Sequence, residues 1–203
     1  GDQTHGAYPW DGVDPIVTAA QIISGLQTIV SRRLKIIDEA AVVTIGSIHG
    51  GVRSNIIPDK VEMVGTIRAL DTEMQEQIHA NIRQIATNTA EAMGAKADVE
   101  IVRGYPVTYN DPELTNKMVP TLQATAGADK VFLRKAVTGA EDFSFYQQKV
   151  PGLFVILGGM PAGQDPTEAP PHHTPDFFVD EAGLLLGVRT LTNLTLDYME
   201  LHK

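Results

Sequence analysis

Apolar positions in the first half of the chain recur at two periods, and each change of period marks an element boundary. Ile16, Ala19, Ala20, Ile23, Leu26 and Val30 return every three or four residues, which predicts a helix over about 15–32. Asp14-Pro15 opens it, with Asp as the capping acceptor and Pro at the first helical position. Residues 41–48 and 60–69 read as strands, separated by the turn signals Gly50-Gly51 and Pro58-Asp59. In the second run Val61, Met63 and Ile67 share one face, and Glu62, Val64, Thr66 and Arg68 share the other. A second helix follows. Thr72 and Gln75 make its capping box, Met74, Ile78, Ile82, Ile85, Thr89 and Met93 its apolar stripe, and Gly94 its stop. Residues 97–103 read as a strand and residues 4–7 as the end of another. The order β-α-β-β-α-β is ferredoxin-like, an α/β arrangement of an antiparallel sheet with two helices on one face.

Gly104-Tyr105-Pro106 marks a boundary, dividing the chain into 1–104 and 105–203. Beyond it, helices are expected from Asp111-Pro112 to 126 and over 141–148. The apolar run 153–158 has the character of a buried central strand. A loop rich in Pro and Gly follows, and Asp180 caps a last helix carrying Leu184, Leu185, Val188, Leu191, Leu194 and Leu196. One or two strands are too few to close a sheet and core, so this half reads as the tail of a larger α/β domain.

Composition narrows the function. Hydrophobic residues are 43% and charged residues 20% of 203, the balance of a globular chain. The formal charge of −9 argues against nucleic acid or an anionic membrane as partner. With no cysteine there is no disulfide framework, zinc ribbon or thiol nucleophile, and the compartment stays open. No apolar run is long enough to cross a bilayer. The chain opens on Gly1-Asp2-Gln3-Thr4, without Met, basic start or apolar stretch, and reads as a processed or cut polypeptide.

Few residues suggest chemistry one by one. His172-His173 reads either as a solvated loop pair or as the source of one imidazole metal ligand. Glu141 and Asp142 could assist a metal or cap a helix. His5 is either an acid/base or oxyanion donor, or a strand-end histidine in solvent. Arg68 could clamp a carboxylate with its bidentate fork, or pair with a surface acid such as Glu62. Asn55 could bind substrate or satisfy a local turn. Gly50-Gly51 is no phosphate loop, because no Lys-Ser/Thr follows at the required spacing.

In order, these pieces form a specific set. Thr4-His5-Gly6-Ala7-Tyr8-Pro9, Asp14-Pro15-Ile16 and Ser31-Arg32 precede Gly50-Gly51, Asn55-Ile56-Ile57-Pro58-Asp59 and Gly65-Thr66-Ile67-Arg68. Gly139-Ala140-Glu141-Asp142-Phe143, Val150-Pro151-Gly152 and His173-Thr174-Pro175-Asp176-Phe177 follow. The set resembles the metal-dependent aminoacylase/carboxypeptidase superfamily, and within it the amidohydrolases of N-acyl amino acids, hippurate and indole-acetyl-amino acids.

The resemblance implies that 1–104 is a ferredoxin-like lid and dimerisation domain. It implies that 105–203 is the C-terminal part of a catalytic α/β domain. The implied cofactors are two divalent ions (zinc, manganese or cobalt), and the implied partners are a small N-acyl amino acid or peptide substrate and a second copy of the protein. His5 matches the lid histidine that stabilises the oxyanion, Asn55 and Arg68 the grip on the substrate carboxylate, and His173 a metal ligand. The other ligands and the Glu base of that family lie ahead of the lid, in a segment without counterpart here. The expectation is therefore a fragment, inactive alone, of a dinuclear amidohydrolase. The competing reading is a dimerisation module without catalysis. A small-ligand sensor ranks last, because it leaves His173-Thr174-Pro175 unexplained.

Overall fold

The computed structural model describes residues 1–201 and 203. It divides into two compact units, 1–107 with 137–140, and 108–136 with 141–203.

In the first unit β1 (Thr4–His5) leads into α1 (Pro15–Thr28), which continues as a π-helical turn, Ile29–Arg33. Then come β2 (Ala41–Gly50), β3 (Ile56–Ile57), β4 (Val61–Ala69) and α2 (Thr72–Ala92). The Asp14 carboxylate accepts from the amides of Ile16 and Val17 at 2.8 and 3.1 Å, as expected for the cap of α1. Asp71 caps α2, accepting from Met74 N–H at 2.7 Å, one residue ahead of the expected Thr72–Gln75 box. A carboxylate is the stronger acceptor and is favoured by the positive end of the helix dipole, so it displaces the neighbouring hydroxyl. Gly94, with φ of +73°, ends the helix as expected.

β2 and β4 pair antiparallel from Ala41 opposite Ala69 to Gly50 opposite Val61, with a register shift between Ile45 and Ser47. The core lies on the inner face of this hairpin. Ile22, Leu26 and Ile29 from the first helical segment meet Val43 of β2 and Met74, Ile78, Ile82, Ile85, Ala86 and Ala90 of α2. Ile29 and Ile78 are 0% exposed, and each isoleucine buried this fully contributes about 1.5–3 kcal/mol. A Cβ at Gly25 would come within 2.8 Å of Ile85 Cγ2, so the glycine sets how closely α1 approaches α2. Met93, expected in the apolar stripe, is exposed, whereas His79 is buried.

The expected last strand, 97–103, forms no ladder among the described residues. It still alternates: Ala95, Ala97, Val99 and Ile101 pack against the core while their neighbours face outward. Its end is tied to α2 by an Arg103–Glu76 ion pair at 2.5 Å. Period-two patterning determines which side chains turn inward. It does not bring the backbone within hydrogen-bonding distance of a sheet edge.

In the second unit α3 (Pro112–Ala126) begins at Asp111, whose carboxylate accepts from Leu114 N–H at 2.8 Å. A short α4 (Phe143–Gln147) follows, and α5 (Leu184–Glu200) begins after a turn capped by Asp180. Thr121 donates to Asp197 at 2.6 Å and Asn193 to Thr125 at 2.9 Å, joining α3 to α5. The run 153–158 is not the buried strand expected. Val155, Ile156 and Leu157 are exposed, and no described strand lies beside them. A strand is made by its neighbours' backbones, and here the Asn110 side chain alone performs that role. It accepts from Phe154 N–H at 2.7 Å and donates to Phe154 C=O at 2.8 Å. Among the described residues no helix is long and apolar enough to cross a membrane.

His79 generates a pH prediction. It is 5% exposed on α2. Burial pushes its pKa down, Glu76 opposes this, and Arg103 and Arg83 add to the depression. Between the folded and unfolded values the unfolded chain binds a proton that the folded chain does not. This contribution is complete above the unfolded value and is lost as pH falls through the folded one. The denaturant midpoint read from α2 amide signals should fall as the pH is lowered below the ordinary His range, and His79→Gln should remove that component. Glu76, held low by Arg103, loses its contribution in a separate window below the ordinary Glu range. An unchanged pH profile in His79→Gln would count against the assignment.

Candidate functional site

His5 and Asn55 are brought together by the smallest ladder in the fold. Thr4 pairs with Ile57 and His5 with Ile56, antiparallel. Gly6 N–H then donates to the Asn55 carbonyl at 2.8 Å. The chain reverses beyond His5, with Tyr8 N–H bonded to the His5 carbonyl at 2.8 Å. Tyr8 rests its ring 5.2 Å from the His5 ring, and Trp10 lies 5.7 Å beyond Tyr8.

The His5 ring is exposed but oriented. Its Nδ1 accepts a hydrogen bond from Ala7 N–H at 3.0 Å. A backbone N–H can only donate, so this nitrogen carries the lone pair. The neutral ring therefore holds its proton on Nε2, where it is a donor.

Arg68 lies on β4, opposite Val42 on β2, in the row with Glu62, Val64 and Thr66 that faces away from the core. It is in the same unit as His5 but on the other ladder. Its guanidinium donates to the Ile67 carbonyl at 2.9 Å. The surface pair with Glu62 is not made, because six residues along a strand is about 20 Å. Glu62 pairs with Lys60 instead, which holds its carboxyl below the usual range. Among the described residues no carboxylate lies within ion-pair distance of Arg68.

His173 belongs to the second unit. Its φ of +64° is the one left-handed backbone among the described non-glycine residues. The turn is held by Thr174 Oγ1, which donates to the Pro171 carbonyl at 2.7 Å, and by Phe177 N–H, which donates to Thr174 C=O at 3.1 Å. His172 packs against the Phe177 ring at 4.6 Å. Among the described residues no three His, Asp or Glu side chains converge to hold a metal. A catalytic metal takes about three protein ligands, and the described residues do not supply His173 with two more.

Sequence reasoning overlooked a shallow depression of about 360 Å³ beside Asn55, lined by Ile16, Gly50, Gly51, Val52, Arg53, Ser54 and Ile56. The signal available was an Arg-Ser pair set between a glycine turn and Asn55.

Two helices over one face of an antiparallel hairpin make the first unit an α/β domain. Residues 1–94 match the M20 peptidase dimerisation domain. The chain is 34% identical to the N-acetylcysteine deacetylase of Bacillus subtilis, over 98% of its own length and 50% of that protein. It is 35% identical to thermostable carboxypeptidase 2 of Saccharolobus solfataricus, over 90% and 45%. The crystal structure of a dinuclear metal-binding peptidase of the M20 family from Bacillus subtilis superimposes with a TM-score of 0.71 at 29% identity, covering 93% of this chain and 46% of that one. Residues 1–94 thus match the M20 peptidase dimerisation domain, and the chain along most of its length is similar to proteins named as a deacetylase and a carboxypeptidase and to a solved M20 peptidase. It spans about half the length of the curated relatives it matches.

The orientation of His5 is directly measurable. Long-range nitrogen–proton NMR above the His titration range should show the Nε2–H tautomer, with Nδ1 as the unprotonated nitrogen. The Nδ1–H tautomer would mean that the Ala7 contact is not made.

Proposed function

We propose that the whole protein hydrolyses the amide bond of N-acyl amino acids or related peptide-like substrates. In this reading residues 1–104 are its lid and 105–203 the C-terminal part of its catalytic domain. One observation carries the proposal: His5 is locked by Ala7 N–H so that its Nε2–H is free to donate, beside Asn55. The relative named for deacetylation of N-acetylcysteine supports the substrate class.

Hydrolysis adds the oxygen of water to the amide carbonyl carbon and breaks the C–N bond, releasing acid and amine. Negative charge gathers on the carbonyl oxygen on the way. The Nε2–H of His5 is assigned to that oxygen, where a donor already in place strengthens its bond as charge develops. The Asn55 amide and the Arg68 guanidinium are assigned to the substrate carboxylate. Arg68 offers two parallel donors and has no competing carboxylate among the described residues.

A dinuclear centre of zinc, manganese or cobalt belongs to the proposal for the whole protein, with His173 as one ligand. The described residues do not complete that centre, and no step is derived through it. The 203-residue chain alone is accordingly proposed to be inactive. The match of 1–94 to a dimerisation domain favours a homodimer, and the second reading is a chain that dimerises without catalysing.

In the enzyme containing this chain, His5→Ala should lower kcat by about 100-fold or more with KM little changed, as for loss of an oxyanion donor. Near-normal kcat would remove His5 from the chemistry and favour the second reading. Arg68→Lys should raise KM for substrates with a free carboxylate and leave amidated analogues little affected, because Lys cannot make the bidentate contact. Equal losses on both substrates would exclude that role.

A further inference from the structure

A donor that acts on developing charge must hold its orientation before the substrate arrives. The His5 ring makes one hydrogen bond, accepting at Nδ1 from Ala7 N–H at 3.0 Å. That bond lies at the surface, where water competes for both partners, so by itself it gives the ring only a modest preference. A second contact comes from Tyr8. The two ring centroids are 5.2 Å apart and the planes are inclined at 39°. Aromatic rings at such a separation attract one another beyond the area they cover.

Tyr8 is itself fixed, although about half of it faces solvent. Its N–H donates to the His5 carbonyl at 2.8 Å. Its carbonyl accepts from Asp11 N–H at 3.1 Å and from the Thr4 hydroxyl at 3.3 Å. Trp10, in the helical turn Pro9–Asp11, lies 5.7 Å from the Tyr8 ring. A Cβ at Gly6 would come within 3.0 Å of the Asn55 backbone, so the reversal from His5 to Tyr8 sits tightly against Asn55. Backbone bonds thus place the Tyr8 ring, and the ring in turn faces the imidazole.

We propose that Tyr8 is a positioning residue for His5, its ring holding the imidazole in the orientation from which Nε2–H donates. This rests on the reading of His5 as the donor to the substrate carbonyl oxygen, and it adds the residue that keeps that donor in place. The aromatic ring carries the role, because the Tyr8 hydroxyl makes no hydrogen bond among the described residues. A donor that wanders is correctly placed for only part of the time. Its loss of alignment is felt where charge develops on the carbonyl oxygen, and so in kcat more than in KM.

The test compares Tyr8→Ala, which removes the ring, with Tyr8→Phe, which removes only the hydroxyl. NMR reads both in the 203-residue chain, and turnover of N-acetyl-L-alanine reads both in the enzyme containing it. In Tyr8→Ala the Ala7 amide should exchange with solvent about three- to tenfold faster, and the His5 side-chain couplings should average over rotamers. The kcat should fall by a similar factor with KM little changed. Tyr8→Phe should bring all of these back near the parent values. The Ile56 and Ile57 amides report on the β1–β3 ladder and should stay in place in both variants. The proposal is overturned by unchanged Ala7 exchange and His5 couplings in Tyr8→Ala, or by Tyr8→Phe behaving as Tyr8→Ala does. It is also overturned by a loss confined to KM, or by displaced Ile56 and Ile57 amides, which would make Tyr8 a support of the ladder instead. Normal kcat in a Tyr8→Ala enzyme whose His5 ring has been freed would count against His5 as the oxyanion donor, while leaving Tyr8 as the residue that orients the ring. If the parent enzyme does not turn over N-acetyl-L-alanine, the NMR comparison alone decides on Tyr8.

Discussion

The first unit depends on the contact between α1 and α2 over the inner face of the β2–β4 hairpin. Ile29 and Ile78 are removed completely from water there, and Gly25 lets the helices approach closely enough for Ile85 to fill the space a side chain would occupy. The hairpin alone would be marginal in water, since a two-stranded ribbon needs a packed face to persist. With that face covered, the opposite row of β4 can carry Thr66 and Arg68 outward. Arg68 is exposed because the core lies entirely behind it.

The β1–β3 ladder is the complementary arrangement, a few hydrogen bonds with little hydrophobic support. Two residue pairs and the Gly6–Asn55 bond hold a histidine and an asparagine side by side. The cap of α1 at Asp14 and the bridge between Asp2 and Val13 restrain the chain that follows His5. Local hydrogen bonding also determines the chemistry of the ring, because Ala7 N–H selects which nitrogen keeps the proton. Positioning in this protein thus comes from short-range backbone contacts set beside a rigid core.

The second unit has a different balance. Ser144 and Met118 are buried, and α3 and α5 share specific side-chain bonds. Val155, Ile156 and Leu157, together with Leu184, Leu185 and Val188, nonetheless stay exposed. The sequence reading treated 153–158 as a central strand because an apolar run of that length is what a buried strand requires. Composition states what a segment needs. It does not supply the neighbours that would satisfy it.

Where partners are near in sequence, the reading held. The helix from Pro15, the two faces of β4, the stop at Gly94 and the cap at Asp14 all follow from contacts within a few residues, whereas Asp180 caps the short turn Glu181–Gly183 ahead of the last helix and not that helix itself. Where the outcome depended on distant groups, the reading missed or left alternatives open. Asp71 took the cap from Thr72 because a nearby carboxylate competes better for the same N–H. Residues 97–103 kept their alternation but made no ladder, because alternation says nothing about the distance to a sheet edge. His79 entered the core through helical geometry that a list of apolar residues does not include. Sequence alone determined the helical and strand periods, the capping acids and the ordered motifs, since each is written in local spacing. Only the tertiary structure decided that His5 lies beside Asn55, because that depends on backbone groups about fifty residues apart that folding brings within 3 Å of each other.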